Sequence, residues 1–217
     1  VYLQYTDDMG HKYGDSEQFY KAVEMMDAQI GRLWEAIQYR EKNFNEEWEI
    51  WITTDHGRDA ETGKGHGGQS SRERNTWIVT NAKDLNDYFK SGKSAIVDIM
   101  PSIAQFLNIT IPHDQKMELD GVPLTGKLYA TNPKVRLSGG ELLITWRDLG
   151  EKGNAKIWVS TTNHFKTVGK DNYLHKMTVP LKKEEATIDI SKAPALFYKV
   201  VIETPGNMLY SEVKARK

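Results

Sequence analysis

Cysteine is absent from this chain of 217 residues. Its absence excludes disulfide bonds, thiolate metal sites and cysteine nucleophiles, but it does not fix the cellular compartment, because many secreted proteins also lack cysteine. An excess of either charge is missing as well, since 29 Lys and Arg residues face 30 Asp and Glu residues and leave a net charge of −1. The composition therefore offers no bulk electrostatic reason to expect a nucleic acid or an anionic membrane as a partner.

Long apolar runs are missing too. The sequence has no stretch of about eighteen consecutive apolar residues, so we expect no segment that spans a membrane. The first residue is Val1 rather than Met, and no signal-like region precedes Val1–Tyr5, which we predict to be a strand. We therefore expect the chain to be the carboxyl-terminal part of a longer protein. Its own length allows one or two domains with a sizeable core.

Several candidate functional residues lie close together in the stretch Glu49–Gly68. Glu49–Thr53 has the β-branched and aromatic residues of a buried strand, and Asp55 and His56 follow it side by side. Neighbouring residues in a strand point to opposite faces, so these two side chains can converge only where the strand has ended. Open α/β sheets bind their ligands at such positions, beyond the carboxyl ends of the strands. His66 lies in the glycine-rich run Gly63–Gly68, which can bring an imidazole close to an ion with little steric cost.

A second candidate site follows the predicted first strand. Asp7 and His11 are four residues apart, which places them on one side of any helical turn. A carboxylate and an imidazole are suitable ligands for a divalent metal, although the same pattern also occurs in a capped turn before a helix. Asp8 is a rival carboxylate that chemistry alone does not exclude. The remaining histidines each stand alone in the sequence and are interpreted as surface residues: His113, His164 and His175.

Predicted helices and strands alternate over the first 128 residues. Ser16 is predicted to be the N-cap of a helix whose apolar residues recur at three- and four-residue steps. Thr76–Thr80 is predicted to be a strand and Ser94–Leu107 a helix. Because Pro101 lies inside the helical pattern, we expect a kink there or a helix start near Asp98. The order strand, helix, strand, strand, helix predicts an α/β fold with a mostly parallel sheet.

The sequence changes character near Tyr129–Pro133. Beyond this point come short β-like segments separated by turns rich in Gly, Asn and Pro: Glu141–Trp146, Lys156–Ser160, Lys176–Val179, Ala186–Ile190, Leu196–Glu203 and Leu209–Lys214. Their regular spacing predicts a small β-sandwich. Leu143–Trp146 and Phe197–Val201 resemble core strands of fibronectin type III-like modules. We therefore predict two domains, residues 1–130 and 131–217.

Taken together, Asp7 with His11, Asp55 with His56, and His66 form a set that is far more specific than any one part. Their local sequences resemble those of the alkaline phosphatase superfamily. They are Asp-Asp-Met-Gly-His-Lys-Tyr-Gly, Thr-Thr-Asp-His-Gly and Gly-His-Gly-Gly. The Gly-His-Lys-Tyr-Gly part points to its type I phosphodiesterase and nucleotide pyrophosphatase branch. The resemblance covers about residues 1–128 and includes two later segments that look like the late helix and closing segment of that branch: Val97–Ile103 and Leu119–Leu124.

This resemblance implies one metal ion held by Asp7, His11 and His66, and a second held by Asp55 and His56. Two divalent ions are expected, and nitrogen and oxygen ligands suit Zn²⁺, with Mn²⁺ or Fe as alternatives. The resemblance also implies a small phosphate ester or phosphodiester as substrate, and a periplasmic or secreted location. The Ser or Thr nucleophile and the further Asp ligand of the family are expected upstream and are absent from this sequence. We therefore expect the chain alone to be inactive.

Three alternatives remain open on the sequence. A cofactor-independent phosphoglycerate mutase has similar Asp-x-x-x-His and Asp-His-Gly segments, although the β-rich tail and Tyr13-Gly14 fit it less well. A sulfatase belongs to the same superfamily, but it typically has Asp-Asn where this chain has Asp55-His56. The chain could instead be a non-catalytic binding module whose metal site is vestigial or only structural. A nucleophile on an upstream polypeptide would favour the enzyme, and a complete natural protein starting near Val1 would favour the module.

Overall fold

The computed structural model describes residues 1–192 and 194–215. Backbone contacts divide the chain into two compact units, Val1–Ala82 and Lys83–Lys217. These units are defined by packing, whereas the predicted domains, residues 1–130 and 131–217, are defined by sequence character. The predicted domain boundary therefore stays a prediction.

The first unit contains two helices that follow each other closely. Helix α1 spans Tyr5–Tyr13 and helix α2 spans Glu17–Phe44. The predicted N-cap of α2 is confirmed, because the hydroxyl oxygen of Ser16 accepts a hydrogen bond from the N–H of Phe19 at 3.2 Å. Helix α2 ends at Asn45, whose left-handed backbone, with φ of 52°, turns the chain away from the helix axis.

A two-stranded sheet completes the first unit. Strand β1, Trp51–Thr53, pairs antiparallel with strand β2, Ile78–Thr80. The side chain of Asn81 extends the pairing, because it accepts a hydrogen bond from the N–H of Ile50 (2.8 Å) and donates one to the carbonyl of Trp48 (2.9 Å). A single amide side chain thus provides hydrogen-bond partners for two backbone groups just before the short strand.

Two sequence-based expectations for this unit are corrected. Val1–Tyr5 was expected to be a strand, but α1 begins at Tyr5, and Asp7 and Asp8 occupy its first turn, where carboxylates suit the positive end of the helix dipole. The mostly parallel sheet is not observed either, because the two strands described in this unit are antiparallel. A parallel pair needs a crossover, usually a helix, whereas residues 54–77 form a loop without a helix or strand.

Apolar burial in the first unit is small. Among residues 1–82, all of which the structure describes, Ala22 is the only buried apolar side chain. Along α2, Val23 and Leu33 follow the predicted apolar spacing, yet they remain 43% and 42% exposed. The other predicted apolar residues of α2 are half-buried: Phe19, Met26, Ile30 and Ile37. The apolar face of α2 is therefore only partly covered within this unit. Even so, no helix among the described residues combines the length and apolarity needed to cross a membrane.

The second unit begins with short helices. Helix α3 spans Asp87–Lys90, helix α4 spans Ile99–Phe106 and helix α5 spans His113–Lys116, with a 3₁₀ turn at Ile96–Asp98 leading into α4. The helix start expected near Asp98 is confirmed. The helix predicted over Ser94–Leu107 is consequently shorter than expected.

Hydrogen bonds join the two later segments that carry the family resemblance. The buried carboxylate of Asp98 accepts a hydrogen bond from the N–H of Val122 at 2.8 Å. The hydroxyl of Ser102, also buried, accepts one from the N–H of Leu124 at 2.8 Å and donates to the carbonyl of Asp98. Burial raises the pKa of Asp98, although the N–H groups of Ala95 and Val122 oppose the rise.

Seven strands follow the short helices in the part of the second unit that the structure describes. They are β3 (Ala130–Ser138), β4 (Glu141–Asp148), β5 (Asn154–Ser160), β6 (Leu174–Pro180), β7 (Glu185–Asp189), β8 (Phe197–Glu203) and β9 (Met208–Lys214), with helix α6 (Phe165–Val168) between β5 and β6. One antiparallel sheet has the order β3-β4-β7 and the other β6-β5-β8-β9. All six predicted strands are present, and β3 was not predicted. The narrower likeness to fibronectin type III modules stays a prediction.

An apolar core lies between these two sheets. On β4, alternate residues Leu142, Ile144 and Trp146 are buried, which is the period-two pattern of a strand with one solvated face. They belong to the same buried cluster as Ile157 of β5 and Ile202 of β8. Two antiparallel sheets that share one core are the architecture of a β-sandwich.

A buried ion cluster lies beside this core. The ammonium group of Lys199, which is 3% exposed, donates hydrogen bonds to Glu118 and Asp171, each at 2.6 Å. Burial raises the pKa of Asp171, but hydrogen bonds from the N–H of His164 and from Lys199 and Thr162 outweigh it and hold the pKa below the usual range. The cluster fastens the segment after α5 to the sandwich.

We expect Lys199→Met to destabilise the second unit by about 3–5 kcal/mol, because Glu118 and Asp171 would stay buried without their counter-charge. Urea denaturation followed by tryptophan fluorescence measures the free energy of unfolding. Lys156→Met is the matched control, because Lys156 pairs with Glu203 on the same sheet but is 52% exposed. The control should cost less than about 1 kcal/mol. Equal losses in the two variants would contradict the role given to the buried cluster.

Candidate metal centre

Asp7, His11 and His66 converge in the first unit. Asp7 and His11 lie one turn apart on α1, and His66 belongs to the loop between β1 and β2. One potential ligand atom from each residue lies within 4.8 Å of those of the other two. The structure thus brings together three residues that the sequence singled out. It places Asp7 and His11 on a helix, however, and not after a strand end.

The separations within this set suit a shared ion. Nε2 of His11 lies 3.1 Å from Nε2 of His66 and 3.5 Å from Oδ2 of Asp7, and Nε2 of His66 lies 3.8 Å from Oδ1 of Asp7. Two nitrogens bound to one tetrahedral zinc ion, each at about 2.0–2.1 Å, are themselves about 3.3 Å apart. Two imidazoles and a carboxylate are also a donor set that suits Zn²⁺ and related divalent metals. The residues therefore fit the ion that the sequence implied.

Asp55 and His56 lie next to this set. They follow the end of β1 at Thr53, as expected, and Nε2 of His56 lies 3.7 Å from Oδ1 of Asp55. Nδ1 of His56 is 2.9 Å from the carbonyl oxygen of Gly57, which can only accept, so a hydrogen bond between them uses Nδ1 and leaves Nε2 as the ring nitrogen that faces Asp55. The ring of His56 stacks on that of His66, with centroids 3.8 Å apart. The two predicted ligand sets are thus neighbours.

The rival carboxylate, Asp8, faces a different residue. Its Oδ1 accepts a hydrogen bond from the side-chain amide of Gln4 at 3.2 Å, along the exposed side of α1. Among the described residues, the cluster that could hold an ion contains Asp7 and not Asp8. One helical position separates the two carboxylates, and it turns them to different sides of the helix.

The other histidines are on the surface, but two of them are not isolated. The rings of His113 and His175 contact the ring of Trp158, with centroid distances of 6.0 and 5.3 Å. His164 is exposed at the start of α6. The pairing around Trp158 depends on strand register and on the packing of α5, so no local sequence signal could have predicted it.

Asp59 orders the loop that carries His66. One of its carboxylate oxygens accepts hydrogen bonds from the N–H groups of Thr62 (2.7 Å) and Glu61 (3.1 Å), and the other accepts from Gly65 at 2.6 Å. The N–H groups of Thr62 and Gly65 hold the pKa of Asp59 well below its usual range. The loop is therefore organised around the carboxylate of Asp59.

Further along, Arg72 and Glu73 fix the other end of the loop. Glu73 accepts hydrogen bonds from the N–H of Gly68 (2.8 Å) and the hydroxyl of Ser70 (2.5 Å). One terminal nitrogen of Arg72 donates to both carboxylate oxygens of Asp15, at 2.8 and 2.6 Å, and the other donates to the carbonyl of Asp59 at 2.9 Å. This ion pair ties the loop to the short segment between α1 and α2.

Comparison with known sequences finds one family. The sequence model described as type I phosphodiesterase / nucleotide pyrophosphatase matches residues 1–136. A 2,3-bisphosphoglycerate-independent phosphoglycerate mutase from Mesomycoplasma hyopneumoniae strain 7448 is 35% identical over 103 residues, which are 48% of this chain and 19% of the mutase. The mutase from strain J of the same organism matches to the same extent. The chain thus spans about a fifth of the length of the curated relatives that it matches.

Comparison with solved structures gives weak similarities. A DUF3244 family protein with an immunoglobulin-like β-sandwich from Bacteroides vulgatus ATCC 8482 covers 40% of this chain and 85% of its own, at 18% identity and a TM-score of 0.29. The spore cortex lytic enzyme SleM of Clostridium perfringens covers 41% of this chain and 27% of its own, at 17% identity and a TM-score of 0.27. The β-sandwich of this chain is established by its own two sheets.

We expect Asp59→Ala to release the loop that carries His66, because the N–H groups of Thr62 and Gly65 lose their acceptor. Amide hydrogen exchange at Gly65 measures the loss of protection. Folding lowers the pKa of Asp59, so the ionised carboxylate stabilises the folded loop. This stabilisation is fully present above about pH 4 and is lost as the pH falls further. Wild-type protection should therefore persist from neutral pH down to about pH 4.

The matched control for this substitution is Glu61→Ala, which removes an exposed carboxylate from the same loop. It should leave the exchange at Gly65 unchanged. The loop is held in some other way if Asp59→Ala exchanges no faster than wild type.

Proposed function

This chain belongs to the type I phosphodiesterase / nucleotide pyrophosphatase family, within the alkaline phosphatase superfamily, and we propose that it supplies metal ligands to a two-metal phosphoric ester hydrolase. The substrate class is a small phosphate ester or phosphodiester. The observation that carries the proposal is the convergence of Asp7, His11 and His66, because their ligand atoms lie within 4.8 Å of one another although 55 residues separate the two histidines.

Five side chains are the metal ligands in this proposal. Asp7, His11 and His66 would hold one ion, and Asp55 with His56 would contribute to a second. Two divalent ions held by these residues would supply Lewis-acid stabilisation of the charge on the phosphate oxygens and would lower the pKa of a bound nucleophile. The stacking of His56 on His66 supports adjacent sites, and Nε2 is the nitrogen of His56 that is not directed at the carbonyl of Gly57.

The rest of the catalytic machinery is proposed to lie on polypeptide other than residues 1–217. The Ser or Thr nucleophile motif and the further Asp of the family do not occur in this sequence. A second observation supports this division. The apolar face of α2 is only partly covered within residues 1–82, where Ala22 is the only buried apolar side chain. An α/β domain that carries the nucleophile would cover such a face and extend the two-stranded sheet towards the mostly parallel one of the superfamily.

A second candidate function is phosphoryl transfer of the mutase type. The observation that favours it is the 35% identity with the phosphoglycerate mutases over 103 residues. The matched family model and the Gly-His-Lys-Tyr-Gly sequence, which ends in Tyr13 and Gly14, favour the phosphodiesterase. Both candidates would use the same metal ligands, but the first would hydrolyse a phosphate ester and the second would transfer the phosphoryl group.

We expect unequal zinc sites in this chain. Asp7, His11 and His66 offer three ligands, whereas Asp55 and His56 offer two, so isothermal titration calorimetry should detect one Zn²⁺ bound tightly and the second weakly or not at all. His66→Ala should weaken the tight site by more than about 100-fold, since even partners outside the ligand shell contribute 10–100-fold. His164→Ala removes an exposed histidine and is the control. Unchanged binding in His66→Ala would exclude this assignment.

We also expect residues 1–217 alone to turn over a chromogenic phosphodiester at a negligible rate in the presence of Zn²⁺, because the nucleophile is missing. Typical enzymes reach roughly 1–1000 turnovers per second. Metal-dependent turnover in that range would mean that a nucleophile lies in this chain after all. In the full-length protein, hydrolysis of phosphodiesters supports the proposal, and isomerisation of phosphoglycerates without such hydrolysis supports the mutase-type candidate.

A further inference from the structure

Arg58 lies beside the candidate metal centre, and no sequence motif pointed to it. It is 9% exposed, although its guanidinium carries a permanent charge. One terminal nitrogen contacts Oδ1 of Asp7 and donates to the carbonyl of Asp7 at 2.7 Å. The other donates to the carbonyl of Lys64 at 3.1 Å. A single side chain thus joins α1 to the loop that carries His66.

We propose that Arg58 is the positioning residue of this metal centre, an inference that rests on the proposed function. Its guanidinium holds Oδ1 of Asp7 and leaves Oδ2, which is 3.5 Å from Nε2 of His11, to the ion. Hydrogen bonds to a ligating carboxylate fix its orientation, and the loss of such a partner typically weakens metal binding about 10–100-fold. The two terminal nitrogens of arginine are held apart in a planar fork and reach acceptors on two segments at once, whereas all three donors of an ammonium start from one nitrogen.

Arg58 exerts two opposite effects on a divalent cation. Its positive charge repels the ion, whereas its hydrogen bonds hold two of the ligands in place. Without Arg58, the partly exposed side chain of Asp7 is free to turn into solvent, and the loop loses its tie at Lys64, two residues before His66. The repulsion is already reduced by the charge of Asp7 in direct contact with the guanidinium. Positioning therefore outweighs repulsion.

Gly10 offers an independent way to displace the guanidinium. It is buried on α1 between Asp7 and His11, and a Cβ atom there would lie 2.2 Å from Cζ and 2.3 Å from Nε of Arg58. A methyl group at this position forces the flexible end of Arg58 to move, and every ligand and every polar group stays in the protein. Gly10→Ala and Arg58→Met should therefore weaken metal binding in the same way.

The experiment is a Zn²⁺ titration by calorimetry of the wild type and variants. Arg58→Met should weaken binding by about 10–100-fold, Gly10→Ala should weaken it in the same direction, and Arg58→Lys should lie between wild type and Arg58→Met. Arg32→Met removes an exposed arginine from α2, and Gly31→Ala adds a methyl group where no atom lies within 4 Å. Both controls should bind as the wild type does. Circular dichroism checks that each variant is folded.

A double-mutant cycle separates positioning from general loosening. If Arg58 acts through Asp7, then Arg58→Met should lower the affinity by a smaller factor in an Asp7→Asn background than in the wild type. Cu²⁺, which such sites bind more tightly than Zn²⁺, keeps the weakened variants measurable. Equal factors in the two backgrounds would overturn the inference, because a merely structural side chain would act independently of Asp7.

The outcomes also distinguish this inference from the proposed function. Arg58 has no positioning role if the wild type binds Zn²⁺ and His66→Ala abolishes the binding, yet Arg58→Met binds as tightly as the wild type or more tightly. If the wild type itself binds no Zn²⁺, the metal centre and the inference both fail. Should Arg58→Met not fold, Gly10→Ala and Arg58→Lys decide the question, and wild-type affinity in both would overturn it.

Discussion

The contact between Arg58 and Asp7 is the interaction on which the candidate site depends. Two segments of the first unit supply the ligands, α1 and the loop after β1, and Arg58 bonds to both of them. The ion pair between Arg72 and Asp15 makes a second tie between the loop and the segment after α1. These two ties hold His66 near Asp7 and His11 without an apolar core beneath them, so the shape of the site is maintained by charge and hydrogen bonding.

The two units are stabilised by different forces. The second unit buries a continuous apolar core between its sheets, with Leu142, Ile157 and Ile202 at most 1% exposed. The first unit buries a single apolar side chain, Ala22, and its ion pairs range from Arg58–Asp7, in which the arginine is buried, to the exposed pair Arg72–Asp15. The proposed site thus lies in the unit with the smaller apolar burial. The first unit would bury more apolar surface if further polypeptide covered α2, as we propose.

Local patterns made part of this structure predictable. The four-residue spacing of Asp7 and His11, the cap at Ser16 and the alternation in β4 each depend on neighbouring residues, and the structure has all three. Strand β3 was not predicted because Asn132, with φ of 54°, and the following proline interrupt its alternation where the pairing shifts register. Arg58 could not be recognised, because its partners are brought to it by the return of a long loop.

The central claim is that Asp7, His11 and His66 bind one metal ion. Anomalous X-ray diffraction from crystals grown with Zn²⁺ tests it most directly. The account predicts one strong peak with Nε2 of both histidines and a carboxylate oxygen of Asp7 at about 2.0–2.2 Å. An ordered zinc ion elsewhere, with these three side chains unligated at saturating Zn²⁺, would contradict the account.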